Sequence, residues 1–263
     1  MNYNTAIQNI RTILKKYIEN NDLKSLVCGI SGGVDSAVCV ALANPVCEKL
    51  GIPLIGRSYP ILSNKNDEKM RALKVGKAFC TDFIEEDLSK AFSDLAIMLD
   101  IAKNDNTEEK IRLGNAKARI RMIKLYDLAS KNKGMVLSTD NYTEYLLGFW
   151  TLHGDVGDFG MIQNLWKTEV YDIAAVLMDL YESKDKKDAL KKCILATPTD
   201  GLGITNSDLD QIGADNYAEV DQYLKGDKSQ YPDHPVIQRF ENTKYKRNNP
   251  FNIQRKLIEG EEL

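Results

Sequence analysis

The sequence lacks long apolar stretches and any strong excess of one charge. Its 35 basic and 38 acidic residues leave a formal net charge of −3, which argues against a nucleic-acid coat or a polybasic membrane binder. No apolar run approaches the ~20 residues that cross a bilayer, since even the richest, Ile173–Met178, ends at Asp179. The N-terminus mixes polar residues into every turn and lacks the apolar core of a secretory signal. The chain is therefore predicted to be cytoplasmic, with neither a membrane nor a nucleic acid as its partner.

Cysteine and histidine are both scarce. The five cysteines are scattered without a Cys-x-x-Cys pair, so neither a disulfide framework nor a structural zinc site is expected. The two histidines, His153 and His234, are too few for much general-base chemistry, and both are interpreted as structural. With 17 Gly and 7 Pro among 263 residues, the chain is neither collagen-like nor of low complexity. A globular composition remains, of a size that a single α/β domain can have.

Short apolar runs alternate with helical patterns along the chain. Buried-strand patterns occur at Leu26–Ile30, Pro53–Gly56 and Met135–Ser138. Helices are predicted in the first 20 residues and at 35–50, 65–79, 84–102, 107–131 and 166–181. Residues 148–163 are irregular and predicted to be a loop, and the loop at 197–206 has the length of a functional lid. This alternation predicts an α/β fold, a doubly wound parallel sheet flanked by helices, with ligands beyond the carboxyl ends of the strands.

The sharpest local signal is the segment Ser31–Ser36, SGGVDS, between the first strand and the next helix. Gly32 and Gly33 let the backbone approach a ligand closely, and the backbone amides with the helix N-terminus form a cradle for an anion. The segment lacks the spacing and the lysine of a Walker A loop, so charge neutralisation must come from a metal ion and from distant basic residues. Asp35 can supply one oxygen ligand to Mg²⁺. The alternative is a glycine turn capped by Ser31 and Asp35.

Two sets of residues resemble a known family. SGGVDS resembles the PP-loop of the ATP pyrophosphatases, which cleave ATP between its α- and β-phosphates. Further along lie Thr139–Glu144 (TDNYTE), Gly148–Thr151 (GFWT), Gly154–Asp155 and Lys167–Thr168, and this order and spacing resemble the ammonia-dependent NAD synthetases. The resemblance implies an adenine nucleotide alpha hydrolase-like fold, with residues 1–263 forming a single NAD synthetase domain and no glutaminase domain.

The resemblance also implies a reaction. A member of this family is a ligase that amidates deamido-NAD with ammonia and ATP, giving NAD, AMP and pyrophosphate through an adenylated carboxylate, the last step of NAD biosynthesis. Mg²⁺ is then the expected cofactor and ATP the co-substrate. The expected partners are deamido-NAD, ATP and ammonia, and a second copy of the chain in a homodimer.

Individual residues take their expected roles from the same resemblance. Asp35 and Glu144 are expected to bind Mg²⁺. Asp35 and Lys167 are the expected catalytic residues, together with Asp155, which is hypothesised to orient or deprotonate ammonium. The expected contacts with ATP are Ser31, Gly32, Gly33, Asp35, Ser36, Arg57, Arg119, Thr139, Lys167 and Thr199. The expected contacts with deamido-NAD are Tyr17, Phe149 and Asp158.

Some of these residues and the activity itself have alternatives. Tyr17 lies on the apolar face of a predicted helix, where core packing is the default, and Lys117 and Arg121 are equally consistent with ordinary helix-surface charge. A tRNA-modifying PP-loop enzyme would need a basic surface and catalytic cysteines, which this composition does not favour. A nucleotide sensor without turnover is the other alternative, and the presence of both expected metal ligands with Lys167 speaks against it.

Overall fold

The structure is a computed structural model that describes residues 1–62, 65–101, 106–199 and 207–259. The strands are β1 (Ser25–Gly29), β2 (Leu54–Ser58), β3 (Asp82–Glu85), β4 (Gly134–Ser138) and β5 (Phe159–Gly160). They form one sheet in the order β3-β2-β1-β4-β5, and every neighbouring pair is parallel. The predicted parallel α/β fold is therefore confirmed.

Helices follow most of the strands. They are α1 (Tyr3–Asn20), α2 (Val34–Leu50), α3 (Asn66–Phe79), α4 (Ser89–Met98), α5 (Thr107–Lys131), α6 (Tyr142–Leu147), α7 (Lys167–Leu180), α8 (Lys184–Ile194), α9 (Asp208–Ile212), α10 (Tyr217–Lys225), α11 (Pro235–Asn242), α12 (Lys244–Arg247) and α13 (Arg255–Ile258). A 3₁₀ turn at Lys228–Gln230 separates α10 from α11. Within the described ranges no helix combines the length and the apolar character needed to cross a membrane.

The sheet is buried on both faces because its side chains alternate between two cores. Leu26 and Cys28 of β1 belong to the core under α1, α2, α3, α7 and α8. Val27, which lies between them, packs with Ile55 and Val136 under α4 and α5. This alternation is the period of two that a strand imposes, and burial on both faces explains why β1 is continuously apolar in sequence. A third core joins α6 to the helices α9 to α11.

Two short strands lie where the sequence predicts none. The expected helix over 84–102 is wrong at its start, because β3 continues to Glu85 and α4 begins only at Ser89. β3 is an edge strand with mostly exposed side chains, so it carries no apolar run that would mark it. β5 lies within the expected loop at 148–163 and has only two residues, which is too short for any periodic pattern.

The chain order of the strands reverses between β1 and β4. The sheet grows from β1 towards β2 and β3 on one side, and β4 then joins β1 on the other side. At such a reversal the two connections leave in opposite directions and open a crevice beyond the carboxyl ends of the strands. The polar segments after β1 and β4 both open onto this crevice, as the sequence predicts.

Candidate functional site

Three charged side chains meet beyond the carboxyl ends of β1 and β4. Asp35 lies in the first turn of α2, Glu144 in the first turn of α6, and Lys167 is the first residue of α7. The ammonium Nζ of Lys167 donates to Asp35 Oδ2 at 2.5 Å and to Glu144 Oε1 at 2.9 Å. Lys167 is only 3% exposed. We refer to these three residues as the carboxylate–lysine cluster.

Asn141 holds the two carboxylates in place. It caps α6, where its side-chain oxygen accepts from the Glu144 amide at 3.0 Å. Its Nδ2 donates to Asp35 Oδ1 at 2.9 Å, and the residue is completely buried. The same side chain therefore starts the helix that carries Glu144 and fixes Asp35 on α2.

A buried carboxylate on α10 holds the other side of the cluster. Asp221 accepts from Thr143 Oγ1 at 2.5 Å, from the Thr168 amide at 3.1 Å and from Thr168 Oγ1 at 2.7 Å. Thr143 in turn accepts from the backbone amide of Lys167 at 2.9 Å. Asp221 lies near the N-terminus of α7, where a negative charge is favourable. The starts of α6 and α7, and with them Glu144 and Lys167, are thus fixed relative to each other.

Burial and charge oppose each other within the cluster. Burial tends to lower the pKa of Lys167, but Asp35 and Glu144 outweigh this and keep its pKa well above the ordinary value. Burial is also the largest influence on Glu144 and raises the pKa of its carboxyl group, against the charge of Lys167. Burial likewise raises the pKa of Asp140 to about 6. Removal of the lysine charge would leave neighbouring acids in a poorly solvated place.

The SGGVDS segment forms a tight turn over the start of α2. Gly32 has a φ of +83°, and a Cβ at this position would lie 2.5 Å from the Glu68 carbonyl oxygen, so only glycine fits. The hydroxyl of Ser36 donates to the Gly33 carbonyl at 3.1 Å. Gly33 occupies the N-cap position and has no side chain with which to cap the first amides of α2. These amides are suited to bind an anion.

One cavity of about 930 Å³ connects most of the predicted site residues. Those that line it are Ser31, Gly33, Asp35, Ser36, Arg57, Thr139, Glu144, Phe149, Asp155, Lys167 and Thr199. Tyr17, Gly32, Arg119 and Asp158 are not among its lining residues. Its volume is within the range of pockets that bind small molecules and cofactors.

Arg57 lines the cavity but directs its guanidinium group elsewhere. Its Nη2 donates to Asp82 Oδ2 at 2.7 Å, and its Nη1 donates to the Gly56 carbonyl oxygen at 2.7 Å. The residue is 7% exposed. The guanidinium therefore joins β2 to β3, and a ligand would meet other atoms of this residue.

Asp155 also lines the cavity, and it belongs to residues 148–160, which we call the glycine-rich segment. Its Oδ1 accepts from the Thr151 amide at 2.8 Å, and Thr151 donates from its hydroxyl to Asn115 of α5 at 2.9 Å. Burial is the main influence on Asp155 and raises its pKa to about 7, with a further contribution from the charge of Asp140. This carboxyl group therefore changes its protonation near neutral pH.

The glycine-rich segment is held from the C-terminal helices. Lys246 donates to the carbonyl oxygen of Gly148 at 2.7 Å and also to that of Trp150. Arg239 donates to the Leu147 carbonyl at 3.1 Å, and its guanidinium lies 4.7 Å from the centre of the Phe149 ring. All these contacts join residues that are at least ninety positions apart in sequence.

Three predicted ligand residues are absent from the lining of the cavity. The Tyr17 ring packs against Phe159 at 4.8 Å between centroids, and Tyr17 is 39% exposed, so it is not a core residue. Asp158 accepts from the Tyr126 hydroxyl at 2.8 Å and from the Val136 amide at 3.0 Å. Arg119 is exposed and donates to the Leu152 carbonyl at 3.1 Å. Their expected contacts with nucleotide or dinucleotide stay predictions.

Thr199 is the last described residue before 207. Its hydroxyl donates to Glu68 Oε1 at 2.8 Å, which brings it next to the SGGVDS segment. Of the expected lid at 197–206, residues 200–206 lie outside the described residues.

Several residues that line or support the site carry no signal in the sequence. Asp221, Arg71 and Lys246 lie on helices, within ordinary polar patterns. Their importance comes from tertiary contacts with segments far away in the chain, which periodicity does not reveal. Arg121 also lines the cavity, and its Nε donates to the Tyr59 carbonyl at 3.0 Å, so the surface-charge interpretation of this residue is wrong.

The donor set of the cluster fits a magnesium ion. Asp35 and Glu144 offer hard carboxylate oxygens at one point, which Mg²⁺ prefers, and this ion usually takes one or two carboxylates together with phosphate oxygens. Among the described residues no group of three or more His, Cys, Asp or Glu side chains forms a closed metal site. An ion held by these two carboxylates would take phosphate oxygens among its other ligands.

Comparison with known proteins gives one consistent family. A family model described as NAD synthase matches residues 6–255. The chain is 31% identical over 249 residues to the NH(3)-dependent NAD(+) synthetase of Finegoldia magna, covering 94% of this chain and 95% of that protein. It is 32% identical over 268 residues to the protein of the same name from Thermoplasma acidophilum, covering 96% and 99%. The solved structure of NMN synthetase from Francisella tularensis aligns with a TM-score of 0.81 at 24% identity, over 97% of this chain and 99% of that chain, and it supports the fold alone.

Proposed function

This chain belongs to the NAD synthase family, and we propose that its cavity carries out the amidation of deamido-NAD by ammonia, with ATP converted to AMP and pyrophosphate. It is then a ligase that forms a C–N bond and uses ATP as co-substrate. The observation that carries this proposal is the carboxylate–lysine cluster, which lies at the starts of α2, α6 and α7 within one cavity of about 930 Å³.

The chemistry requires activation of an unreactive carboxylate. A carboxylate does not exchange oxygen for ammonia, because its charge repels nucleophiles and the leaving group would be oxide. In the proposed path the nicotinate carboxylate oxygen attacks the α-phosphorus of ATP, and the bond from that phosphorus to the bridging oxygen breaks to release pyrophosphate. Ammonia then adds to the acyl carbon of the adenylate, loses a proton, and AMP leaves with the original carboxylate oxygen. This path needs no nucleophilic side chain.

The residues at the phosphate end suit the first step. We propose that Asp35 and Glu144 hold Mg²⁺, which when bound would neutralise phosphate charge in the first step. Lys167 supplies a fixed positive charge beside the departing pyrophosphate, and the uncapped amides at the start of α2 bind phosphate oxygens. Preorganised charges of this kind stabilise the transition state more than the ground state. Arg57, Thr139 and Thr199 complete the ATP site from the cavity wall.

The cavity residues of the glycine-rich segment suit the second step. Phe149 offers an aromatic face in the cavity, and we propose that the nicotinate ring lies near it. Asp155 has a pKa of about 7 because it is buried, and a base with a pKa near the working pH is best able to take a proton from ammonium or from the adduct. We propose this role for its carboxylate.

The proposed assembly is a homodimer that meets at the β5 edge. Tyr17 of α1 and Tyr126 of α5 contact Phe159 and Asp158 from the two sides of β5. One turn before each tyrosine lies a more exposed apolar residue, Ile13 at 59% and Ile123 at 65%. These four side chains form an apolar border around an edge strand, the kind of surface that a second sheet-bearing chain can cover.

We propose that the protein is located in the cytoplasm. All five cysteines are free thiols, and four of them are buried. Burial raises the pKa of the Cys47 and Cys193 thiols to about 12. Unreactive thiols of this kind suit a reducing compartment.

An isotope-transfer assay tests the proposed function. Purified protein with ATP, MgCl₂, ammonium and deamido-NAD labelled with ¹⁸O in its carboxylate is expected to form NAD and AMP in equal amounts, with one ¹⁸O atom in each AMP. Asp35→Asn, which keeps the side-chain shape, serves as the inactive control. Formation of ADP in place of AMP, unlabelled AMP, or preferential turnover of the nicotinate mononucleotide would contradict the proposal.

A further inference from the structure

The phosphate end of the cavity has a shortage of available positive charge. The SGGVDS segment contains no lysine, and Lys167, the cation nearest to it in the cluster, is already shared between Asp35 and Glu144. Glu68 brings a further carboxylate to the wall beside the segment. Because pyrophosphate is a highly charged leaving group, a second cation at this end would improve both binding and catalysis.

Most other basic residues of the cavity are engaged elsewhere. Arg57 pairs with Asp82, and Arg239 and Lys246 bind carbonyl oxygens around the glycine-rich segment. The charge of Lys69 contributes in small part to the lowered pKa of Asp87, which is due mainly to hydrogen bonds from Ser89. The charged groups of Arg57, Arg239 and Lys246 are therefore already paired within the protein.

Arg71 lies beside that turn. It is on α3, and its Nε donates to the Gly32 carbonyl oxygen at 3.0 Å. The backbone of α3 also packs directly on the turn, since a Cβ at Gly32 would lie 2.9 Å from the Ala72 amide and 3.1 Å from the Arg71 Cβ. Arg71 lines the cavity, and its two Nη atoms form no hydrogen bond with the described part of the chain. One edge of the guanidinium thus fixes the turn and the other edge is available.

We propose that Arg71 is a phosphate-binding residue that supplies the cation missing from the SGGVDS segment and binds the pyrophosphate end of ATP. The Nε bond to Gly32 orients the planar guanidinium, and the two Nη atoms then present donors suited to two phosphate oxygens at once. A lysine at this position could not make both contacts, because its ammonium is a point charge. The inference rests on the proposed function, which supplies the identity of the ligand.

Binding of inorganic pyrophosphate with MgCl₂ tests this role without turnover. Titration calorimetry on Arg71→Ala and Arg71→Gln is expected to show an increase of about tenfold or more in the pyrophosphate dissociation constant. The reason is that a hydrogen bond between charged groups contributes enough binding free energy to account for such a change. Arg71→Lys should recover only part of the loss. The dissociation constant of AMP, which lacks the pyrophosphate, should change by less than about twofold in all three variants.

Lys74→Ala is the matched control. Lys74 is one turn further along α3 and does not line the cavity. It lies with Lys192 in a small neighbouring pocket that Arg71 also lines, so Lys74→Ala deletes one positive charge from the same helix outside the cavity. Unchanged pyrophosphate binding in Arg71→Gln, or an equal loss in Lys74→Ala, would overturn the proposal. An equal weakening of AMP and pyrophosphate would also overturn it, because that result indicates a loosened turn. Wild-type protein that makes no NAD would instead contradict the proposed function. Circular dichroism shows whether each variant is folded. If Arg71→Ala does not fold, the pyrophosphate affinity of Arg71→Gln tests the proposal.

Discussion

Two parts of the cavity wall, the phosphate end and the glycine-rich segment, are built in different ways. At the phosphate end, charged side chains contact one another directly, as in the carboxylate–lysine cluster, and each lies in the first turn of a helix. At the glycine-rich segment, charged side chains contact backbone carbonyl oxygens, as Lys246 does at Gly148 and Arg239 does at Leu147. The first end depends on paired charges, and the second depends on a loop that is held in shape from outside.

This difference indicates which step each end serves. Attack at phosphorus releases a multiply charged group, and fixed charges in a poorly solvated place stabilise it with little reorganisation. Attack by ammonia needs a proton acceptor and a defined position for a neutral nucleophile, and Asp155 with its pKa of about 7 can provide the first of these. The comparison therefore predicts that substitutions at the two ends fail in different ways.

Lys167→Met is expected to cause the largest change, because it removes the one positive charge between two carboxylates. Breaking a buried ion pair from one side typically costs about 3–5 kcal/mol of folding free energy. Loss of the charge beside the pyrophosphate should also lower kcat by about 10³-fold. Urea unfolding in EDTA and steady-state rates with saturating MgCl₂ measure the two effects.

The control for this substitution is Lys186→Met. Lys186 is also partly buried, and its Nζ donates to Asn44 Oδ1 at 2.6 Å, but it does not line the cavity. Lys186→Met should lower the free energy of unfolding while its kcat remains within about twofold of the wild type. If Lys167→Met and Lys186→Met had the same kcat, the cluster would not be part of the reaction.

Asp155→Asn is expected to have the second largest effect and to change the pH dependence. The pKa of Asp155 is raised to about 7 in the folded protein, so its carboxyl group is protonated below that pH and charged above it. The rate of the wild type, corrected for the fraction of unprotonated ammonia, should therefore fall as the pH drops below 7. Asp155→Asn should lower kcat by about 10²-fold and remove this acidic limb.

Stability gives an independent check on the same group. Its raised pKa means that the folded state binds this proton more tightly than the unfolded chain does, so its contribution to stability is lost as the pH rises from about 4 to about 7. The free energy of unfolding of Asp155→Asn should therefore depend less on pH between about 4 and about 7 than that of the wild type. A variant that keeps both the acidic limb and the wild-type stability profile would show that another group titrates.

The phosphate end could be predicted largely from the sequence. Strand-like runs end directly before Ser31 and before Thr139, and parallel strands bring their carboxyl ends to one edge, so Asp35 and Glu144 had to lie near each other. The family resemblance added Lys167 to this pair. The structure confirms the fold and brings these three residues into contact.

The residues that support this end could not be predicted in the same way. Asp221 contacts Thr143 across 78 positions, and Arg71 contacts Gly32 across 39. Both lie on helices whose patterns describe only which face is buried. Contacts between side chains and distant backbone atoms depend on how helices are placed, and a single sequence contains no local signal for that placement.

The smallest expected effect concerns the β5 edge, where the glycine-rich segment ends. Ile123→Glu places a charge on the exposed border next to Tyr126, so it should dissociate the proposed homodimer while the folding stability of the chain changes by no more than about 0.5 kcal/mol. Sedimentation velocity measures the first effect and thermal unfolding the second. The matched control is Ile97→Glu, which changes a residue of 79% exposure on α4, the helix that follows β3 at the opposite edge of the sheet.

If the second copy completes the dinucleotide site, the monomeric Ile123→Glu should show a KM for deamido-NAD raised by up to about tenfold with an unchanged KM for ATP. A wild-type chain that sediments as a monomer would contradict the dimer. A monomeric variant with both KM values unchanged would show that this edge joins two complete sites. The second copy would then not be needed to hold the glycine-rich segment in place.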